Sequence, residues 1–128
     1  EVPEVVINVV TKDLVELANL SSTEWPSDIN EFNETGLTME PSVKVKPFRV
    51  KESPVQMECR VRQVIETGTG GGSANLVICE ILMLHVDEAV LDENGVIDPN
   101  KIRLVGRLGG DHYVDAFGQG LFSLKKPG

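Results

Sequence analysis

Eight consecutive residues near the end of the chain, Gly106-Arg-Leu-Gly-Gly-Asp-His-Tyr, concentrate groups that do chemistry. Arg107 offers a planar fork of donors suited to phosphate or carbonyl oxygens. Gly109 and Gly110 let backbone approach a flat ligand closely. His112 and Tyr113 can stack on a ring or hydrogen-bond to its edge. The same string also reads as a glycine bulge at a barrel corner with an exposed histidine. Residue types alone leave those two readings level.

Two other places put polar groups where a ligand would want them. Asn8 interrupts the apolar run Glu4-Val-Val-Ile-Asn-Val-Val. A buried amide there needs partners, which are either a neighbouring backbone or a ligand at the strand's end. Asn19-Leu-Ser-Ser-Thr brings Asn19, Ser21 and Ser22 together at the end of an apolar-periodic segment. Such a run suits a helix terminus, and equally a turn that holds a phosphate or a ring edge.

Other chemistries lack their residues. The two histidines, His85 inside an apolar run and His112, give no trustworthy Ser/His/Asp arrangement. A metal centre would need more His, Cys or clustered carboxylates. The Gly68–Gly72 stretch has no Lys-Ser/Thr after it and does not stand between a strand and a helix, so neither nucleotide-binding glycine motif applies. Aligning Asp92, Asn94, Gly95, Ile97 and Asp98 with a calcium loop puts Val90 and Lys101 at two key ligand positions, which rejects calcium.

These residues need elements to hold them, and the longest is a hairpin from Val55 to Val86. In its first arm Val55, Met57, Cys59, Val61 and Ile65 alternate with Gln56, Glu58, Arg60, Arg62 and Glu66. That period of two predicts a core face and a polar face. The second arm, Leu76 to Val86, is almost wholly apolar and predicts a strand covered on both faces. A glycine-rich tip, Thr67 to Ala74, joins them. Cys59 and Cys79 fall in opposite arms at similar distances from the tip. A disulfide is conceivable, but two small buried thiols is the better reading.

Around the hairpin the text predicts smaller pieces. Val2–Val10 is a strand. Thr11 is placed to cap a helix over Lys12–Leu20, with Leu14, Leu17 and Ala18 inward. Trp25, read as a packing anchor, and Pro26 break the chain. Ser27 or Asp28 then caps a second short helix with Ile29 and Phe32 inward and Gly36 as its stop. Between Leu37 and Ser53 three prolines nearby leave only short edge strands at Val43, Val45 and Val50. Asn94-Gly95 is a turn, Lys101–Leu108 starts a strand or helix, and Leu121, Phe122 and Leu124 suggest a final strand.

The bulk properties bound the class. The chain has 128 residues, 41% hydrophobic and 25% charged, with a net charge of −8. That suffices for one globular domain. The acidic balance argues against a nucleic-acid partner. The basic cluster Lys44, Lys46, Arg49 and Lys51 reads as solvated strand or loop. No apolar run approaches the roughly 20 residues that cross a membrane, and no signal peptide is visible. A cytoplasmic protein is expected. The first residue is not Met, so the chain is not expected to begin where its gene does.

Several of these pieces, taken in order, resemble the flavin reductase-like family, whose fold is the FMN-binding split barrel. They are Val5-Val-Ile-Asn-Val-Val, Leu17-Ala-Asn-Leu-Ser-Ser with Pro26 after it, Gly36-Leu-Thr and Pro41-Ser-Val-Lys-Val-Lys-Pro. Glu52-Ser-Pro-Val-Gln-Met-Glu-Cys, Asn75-Leu-Val-Ile-Cys-Glu-Ile and Gly106-Arg-Leu-Gly-Gly-Asp-His-Tyr complete the set. The resemblance implies a mainly β fold, an antiparallel split β-barrel of Greek-key type with a few short outer helices, forming one domain over residues 1–128. It implies FMN as cofactor, NADH or NADPH as reductant, a homodimer and, in some members, a partner monooxygenase. It puts Asn8, Asn19, Ser21, Ser22, Arg107, Gly109, Gly110, His112 and Tyr113 near the flavin, with no side chain acting as acid or base. The function implied is hydride transfer from NAD(P)H to flavin. The rival is a flavin-binding, electron-transfer or dimerisation module without turnover. Family members also carry an upstream segment that supplies the first barrel strands. Here it lies outside the sequence, comes from another chain, or is not needed because this piece binds no flavin.

Overall fold

The computed structural model describes residues 3–22, 31–71 and 74–128, and its contacts gather into two units. One contains the chain start to Val9 and Thr38–Val86; the other contains Val10–Leu37 and Asp87–Gly128.

The first unit is built on the expected hairpin. Strand β1 (Glu4–Asn8) pairs antiparallel with β4 (Val55–Glu66), which pairs antiparallel with β5 (Asn75–Val86). The sheet order is therefore β1-β4-β5. A two-residue pair, β2 (Met39–Glu40) and β3 (Arg49–Val50), lies in the same unit. The β4–β5 arms match the sequence reading almost to the residue. At the tip the Thr67 amide donates to the Ala74 carbonyl at 3.2 Å. Residues 72–73 of the tip lie outside the described residues.

Strand β4 does not alternate as predicted. Val55, Gln56, Glu58 and Cys59 are all buried, and the pairing slips between Glu58 and Cys59 and again between Val61 and Gln63. The reason is Glu58, whose side chain is fully buried. Its carboxylate accepts from the backbone amides of Val43 (3.0 Å to each oxygen), Lys44 (2.5 Å) and Val45 (3.3 Å). His85 Nε2 lies 2.5 Å from the same carboxylate, and Arg49 Nε lies 3.9 Å away. Residues 43–47 thus form a looped cradle around an internal anion, where edge strands at Val43 and Val45 were expected. Convergent amides of this kind bind anions well.

Arg49 extends the network. It donates to Gln56 Oε1 (3.0 Å) and the Pro41 carbonyl (2.9 Å), and pairs with Glu40 at 3.0 Å. Gln56 Nε2 donates to the carbonyls of Val50 and Ser53, each at 2.9 Å. Arg49 is therefore a structural cation of this unit rather than part of a solvated basic cluster.

Two expectations for the hairpin change. Strand β5 is the edge of its sheet among the described residues, and Leu76, Ile81 and Leu84 are about half exposed, so the described residues do not cover it on both faces. Cys59 pairs with Ile81 and Cys79 with Val61, two positions apart, and both thiols are free. Burial, with Cys79 nearby, pushes the Cys59 thiol pKa up.

In the second unit, helix α1 (Val15–Ser21) begins later than expected, with Leu14 at its N-cap and no side-chain cap. Thr11 is instead buried and bridged to Leu104. Helix α2 (Glu31–Thr35) ends at Gly36, whose φ of 74° is the left-handed stop anticipated for that glycine. Trp25, Pro26, Ser27, Asp28 and Ile29 lie outside the described residues.

The acidic stretch after β5 uses its carboxylates locally. Asp87 accepts from the Ala89 amide, Asp92 from Asn94 and Val96, and Asp98 from Asn100, the last capping α3 (Pro99–Ile102). The chain closes with the antiparallel pair β6 (Val105–Gly109) and β7 (His112–Asp115). The tail containing Leu121, Phe122 and Leu124 forms no strand among the described residues. Nor, among them, is any helix long and apolar enough to cross a membrane.

The cradle sets an acid limit on the first unit. Burial opposes the charge on Glu58, but the Val43 and Lys44 amides and His85 outweigh it and hold its pKa at about 2, against 4.5 ordinarily. A depressed carboxylate pKa contributes stability that is complete above pH 4.5 and lost as pH falls towards 2. Glu58→Gln should lower stability at neutral pH by about 3 kcal/mol, because it opposes an amide NH2 to backbone donors. It should also flatten the pH dependence over that window. Urea titrations from pH 2 to 7 measure both, and equal pH slopes in the two proteins would refute the assignment.

Candidate functional site

Helix α1 presents Val15, Ala18, Asn19 and Ser22 at spacings of three, four and seven, which line one helical face. Val105 and Arg107 lie two apart on β6 and so share a face, and Tyr113 on β7 is the direct cross-strand partner of Arg107. With Val10 these residues line an open cavity of about 280 Å³ within the second unit. Val10, Val15, Ala18 and Val105 are half-buried, while Asn19, Ser22, Arg107 and Tyr113 are exposed around them. The cavity thus has an apolar floor and a polar rim, the composition of small-molecule sites.

The rim has bonding capacity to spare. Ser22 Oγ donates to the Asn19 carbonyl at 2.6 Å, so its proton is used while its oxygen can still accept. Among the described residues, the side chains of Asn19, Arg107 and Tyr113 make no hydrogen bond or ion pair, whereas Arg49, Arg62 and Arg103 each pair with a carboxylate. A forked cation beside an amide, a hydroxyl and a phenol can hold a phosphate or the carbonyl edge of a flat ring.

The family profile for the flavin reductase like domain matches residues 1–104. The chain belongs to the flavin reductase-like family. An uncharacterised protein of Aquifex aeolicus is 36% identical over 116 residues, which cover 91% of this chain and 57% of that protein. Nitrilotriacetate monooxygenase component B from Bacillus cereus superposes with a TM-score of 0.82 at 26% identity, over 94% of this chain and 59% of that one. A proposed flavin reductase with a split barrel domain from Shewanella frigidimarina gives a TM-score of 0.78 at 28% identity, over 97% and 61%. The fold class is the expected one, a mainly β split barrel with a few short helices. The chain spans about three-fifths of the length of these relatives.

Of the nine residues assigned near flavin by family resemblance, Asn19, Ser22, Arg107 and Tyr113 line the cavity. Ser21 sits beside them in sequence, but its hydroxyl donates back to the Ala18 carbonyl at 2.6 Å. Asn8 belongs to the first unit, where its Oδ1 accepts from the Val50 amide at 3.0 Å. Of its two alternatives, a backbone partner is therefore present. Gly109 and His112 pair at the ends of β6 and β7, Gly110 lies in the turn between them, and the register slips between Arg107 and Gly109. Of the two alternatives for this string, the glycine bulge is present as that register slip, and the turn brings Tyr113 opposite Arg107.

The floor residues were missed. Val15 and Ala18 carried a signal, being on the same helical face as Asn19 and Ser22, and Val105 is one strand repeat before Arg107.

At Gly109 the backbone has φ 104°, and a side-chain carbon placed there would meet nothing within 4 Å, so the constraint is conformational rather than steric. Gly109→Ala should cost about 1–2 kcal/mol through backbone strain at the turn. Thermal unfolding reads that loss, and an unchanged midpoint would show that the turn relaxes freely.

Proposed function

We propose that this chain is the larger part of an FMN-dependent flavin reductase that uses NADH or NADPH, working as a homodimer in the cytoplasm. The observation that carries this reading is the rim of Asn19, Ser22, Arg107 and Tyr113, drawn from two separated stretches onto one apolar cavity in a chain of this family. A volume of about 280 Å³ suits one portion of a flavin or nicotinamide nucleotide, not the whole.

Each side chain has a part. Val10, Val15, Ala18 and Val105 keep water from the face of a bound ring. Arg107 donates its fork to an anionic or carbonyl oxygen, and the absence of an internal partner among the described residues leaves that fork available. Asn19 can both donate and accept, Ser22 can accept, and Tyr113 can stack or donate through its hydroxyl. Bound flavin would supply the hydride-accepting chemistry, and the protein's contribution is position and electrostatics. No acid or base is required of the chain. The Bacillus cereus neighbour, named as a monooxygenase component, supports a partner monooxygenase as the destination of reduced flavin.

A visible spectrum of the full-length protein with FMN, followed by NADH or NADPH in the same cuvette, tests the reading. Bleaching of the flavin absorbance with multiple turnovers supports a reductase. Tight flavin without nucleotide oxidation supports the module that holds flavin without turnover. Arg107→Ala should weaken FMN binding roughly ten- to hundredfold, the worth of a charge-assisted contact. Because Arg107 is exposed and unpartnered among the described residues, folding stability should change by less than about 0.5 kcal/mol. Unchanged FMN affinity in a titration removes Arg107 from the site.

A further inference from the structure

Arg103 is the one non-glycine residue with a positive φ among the described residues, at φ 56° and ψ 58°. A Cβ makes that left-handed conformation unfavourable, and glycine is its usual occupant. The side chain, however, is held on two sides. Its Nη1 donates to Asp13 Oδ1 at 2.9 Å, and its Cζ lies 5.1 Å from the centroid of the Phe117 ring, within cation–π range.

The backbone at this point is tied in the same directions. The Arg103 amide donates to the Pro99 carbonyl at 3.0 Å, closing α3, and its carbonyl accepts from the Lys12 amide at 2.8 Å. Leu104 bridges Thr11, and its carbonyl accepts from the Ala116 amide at 2.9 Å. Lys12 Nζ adds an ion pair to Asp115 at 2.9 Å. Residues 11–13 lead directly into α1, residues 103–104 into β6, and residues 115–117 leave β7. These are the three elements that line the cavity.

We propose that Arg103 is a positioning residue for the cavity, fixing the α1 wall against the β6–β7 wall through Asp13 and Phe117. The proposal rests on the reading of that cavity as a flavin or nucleotide site. Arg103 touches no ligand itself. Left-handed strain at a side chain so tethered is the kind of local cost that persists where the surroundings determine it, and the spacing between Asn19 and Arg107 depends on the tether.

The test uses the full-length protein, with FMN affinity measured by quenching of flavin fluorescence and the thermal midpoint measured in parallel. Arg103→Gly removes both contacts while relieving the backbone, so it should weaken FMN binding roughly tenfold, as small misplacements of binding groups do, with little loss of thermal stability. Arg103→Lys keeps a cation within reach of Asp13 and Phe117 and should recover most of that affinity. Asp13→Asn breaks the ion pair without touching the backbone at 103 and should give an intermediate loss. It also decides the matter if the glycine variant does not fold. Wild-type affinity in both Arg103→Gly and Asp13→Asn, with Arg107→Ala impaired, overturns the positioning role and leaves the cavity reading standing. An Arg103→Lys protein as weak as Arg103→Gly also overturns it. Wild-type affinity in Arg107→Ala removes the cavity reading, and the positioning role falls with it.

Discussion

Burying a carboxylate in the middle of a strand is costly unless every lone pair finds a donor. At Glu58 the donors are three consecutive backbone amides, Val43 to Val45, together with His85 and, at longer range, Arg49. Much of the first unit follows from that requirement. The stretch flanked by Pro41 and Pro47 is poorly suited to a sheet ladder, and the internal anion gives its amides an alternative partner. Glu4 repeats the device beside it, accepting from the Lys46 amide at 3.1 Å. Arg49 then links the cradle to β2 through Glu40 and to β4 through Gln56. Strand β4 therefore carries Gln56 and Glu58 inward, satisfied, where an ordinary amphipathic strand would turn them to water.

The second unit solves a different problem by more local means. Its connections are short turns in which Asp87, Asp92 and Asp98 each accept a backbone amide two residues on. Such turns fix the chain direction without needing a large core. Long-range definition comes from a few ties between distant segments, Thr11 with Leu104, Lys12 with Asp115 and Asp13 with Arg103. Exposed ion pairs add little to stability singly. The use of the two ion pairs here is geometric, since with the Thr11–Leu104 backbone bridge they converge on the segments that flank the cavity walls.

What could be read from the sequence divides along the same line. The arms of the hairpin, the Gly36 stop and the Asn94-Gly95 turn were legible because each depends on residues adjacent in sequence. Glu58 was not, because alternation assigns it to solvent and its partners are backbone amides that carry no side-chain signature. The apolar run of β5 implied a cover on both faces, yet coverage is a property of neighbouring layers and not of the run itself. In the cavity, Asn19, Ser22, Arg107 and Tyr113 stand out on chemistry and resemblance. Their meeting on one cavity depends on the long-range ties through residues 11–13, which the sequence shows only as a helix cap at Thr11 and two ordinary charges, Lys12 and Asp13. Arg103 was invisible for a related reason. Nothing in its neighbours requires an arginine to take a glycine's conformation.

Charge gives the cavity its particular character. With a net charge of −8, the chain's long-range field repels anionic ligands rather than steering them inwards. Salt damps that field within about 8–10 Å at ordinary ionic strength, so what an anion meets at the cavity is set by the nearest groups. There the carboxylates of Asp13 and Asp115 are already paired, with Arg103 and Lys12, while the Arg107 guanidinium has no carboxylate of its own among the described residues. On the proposed reading, a single forked cation on an apolar floor would select by shape and short-range contact, favouring a planar ligand with one anionic or carbonyl edge over a generic polyanion.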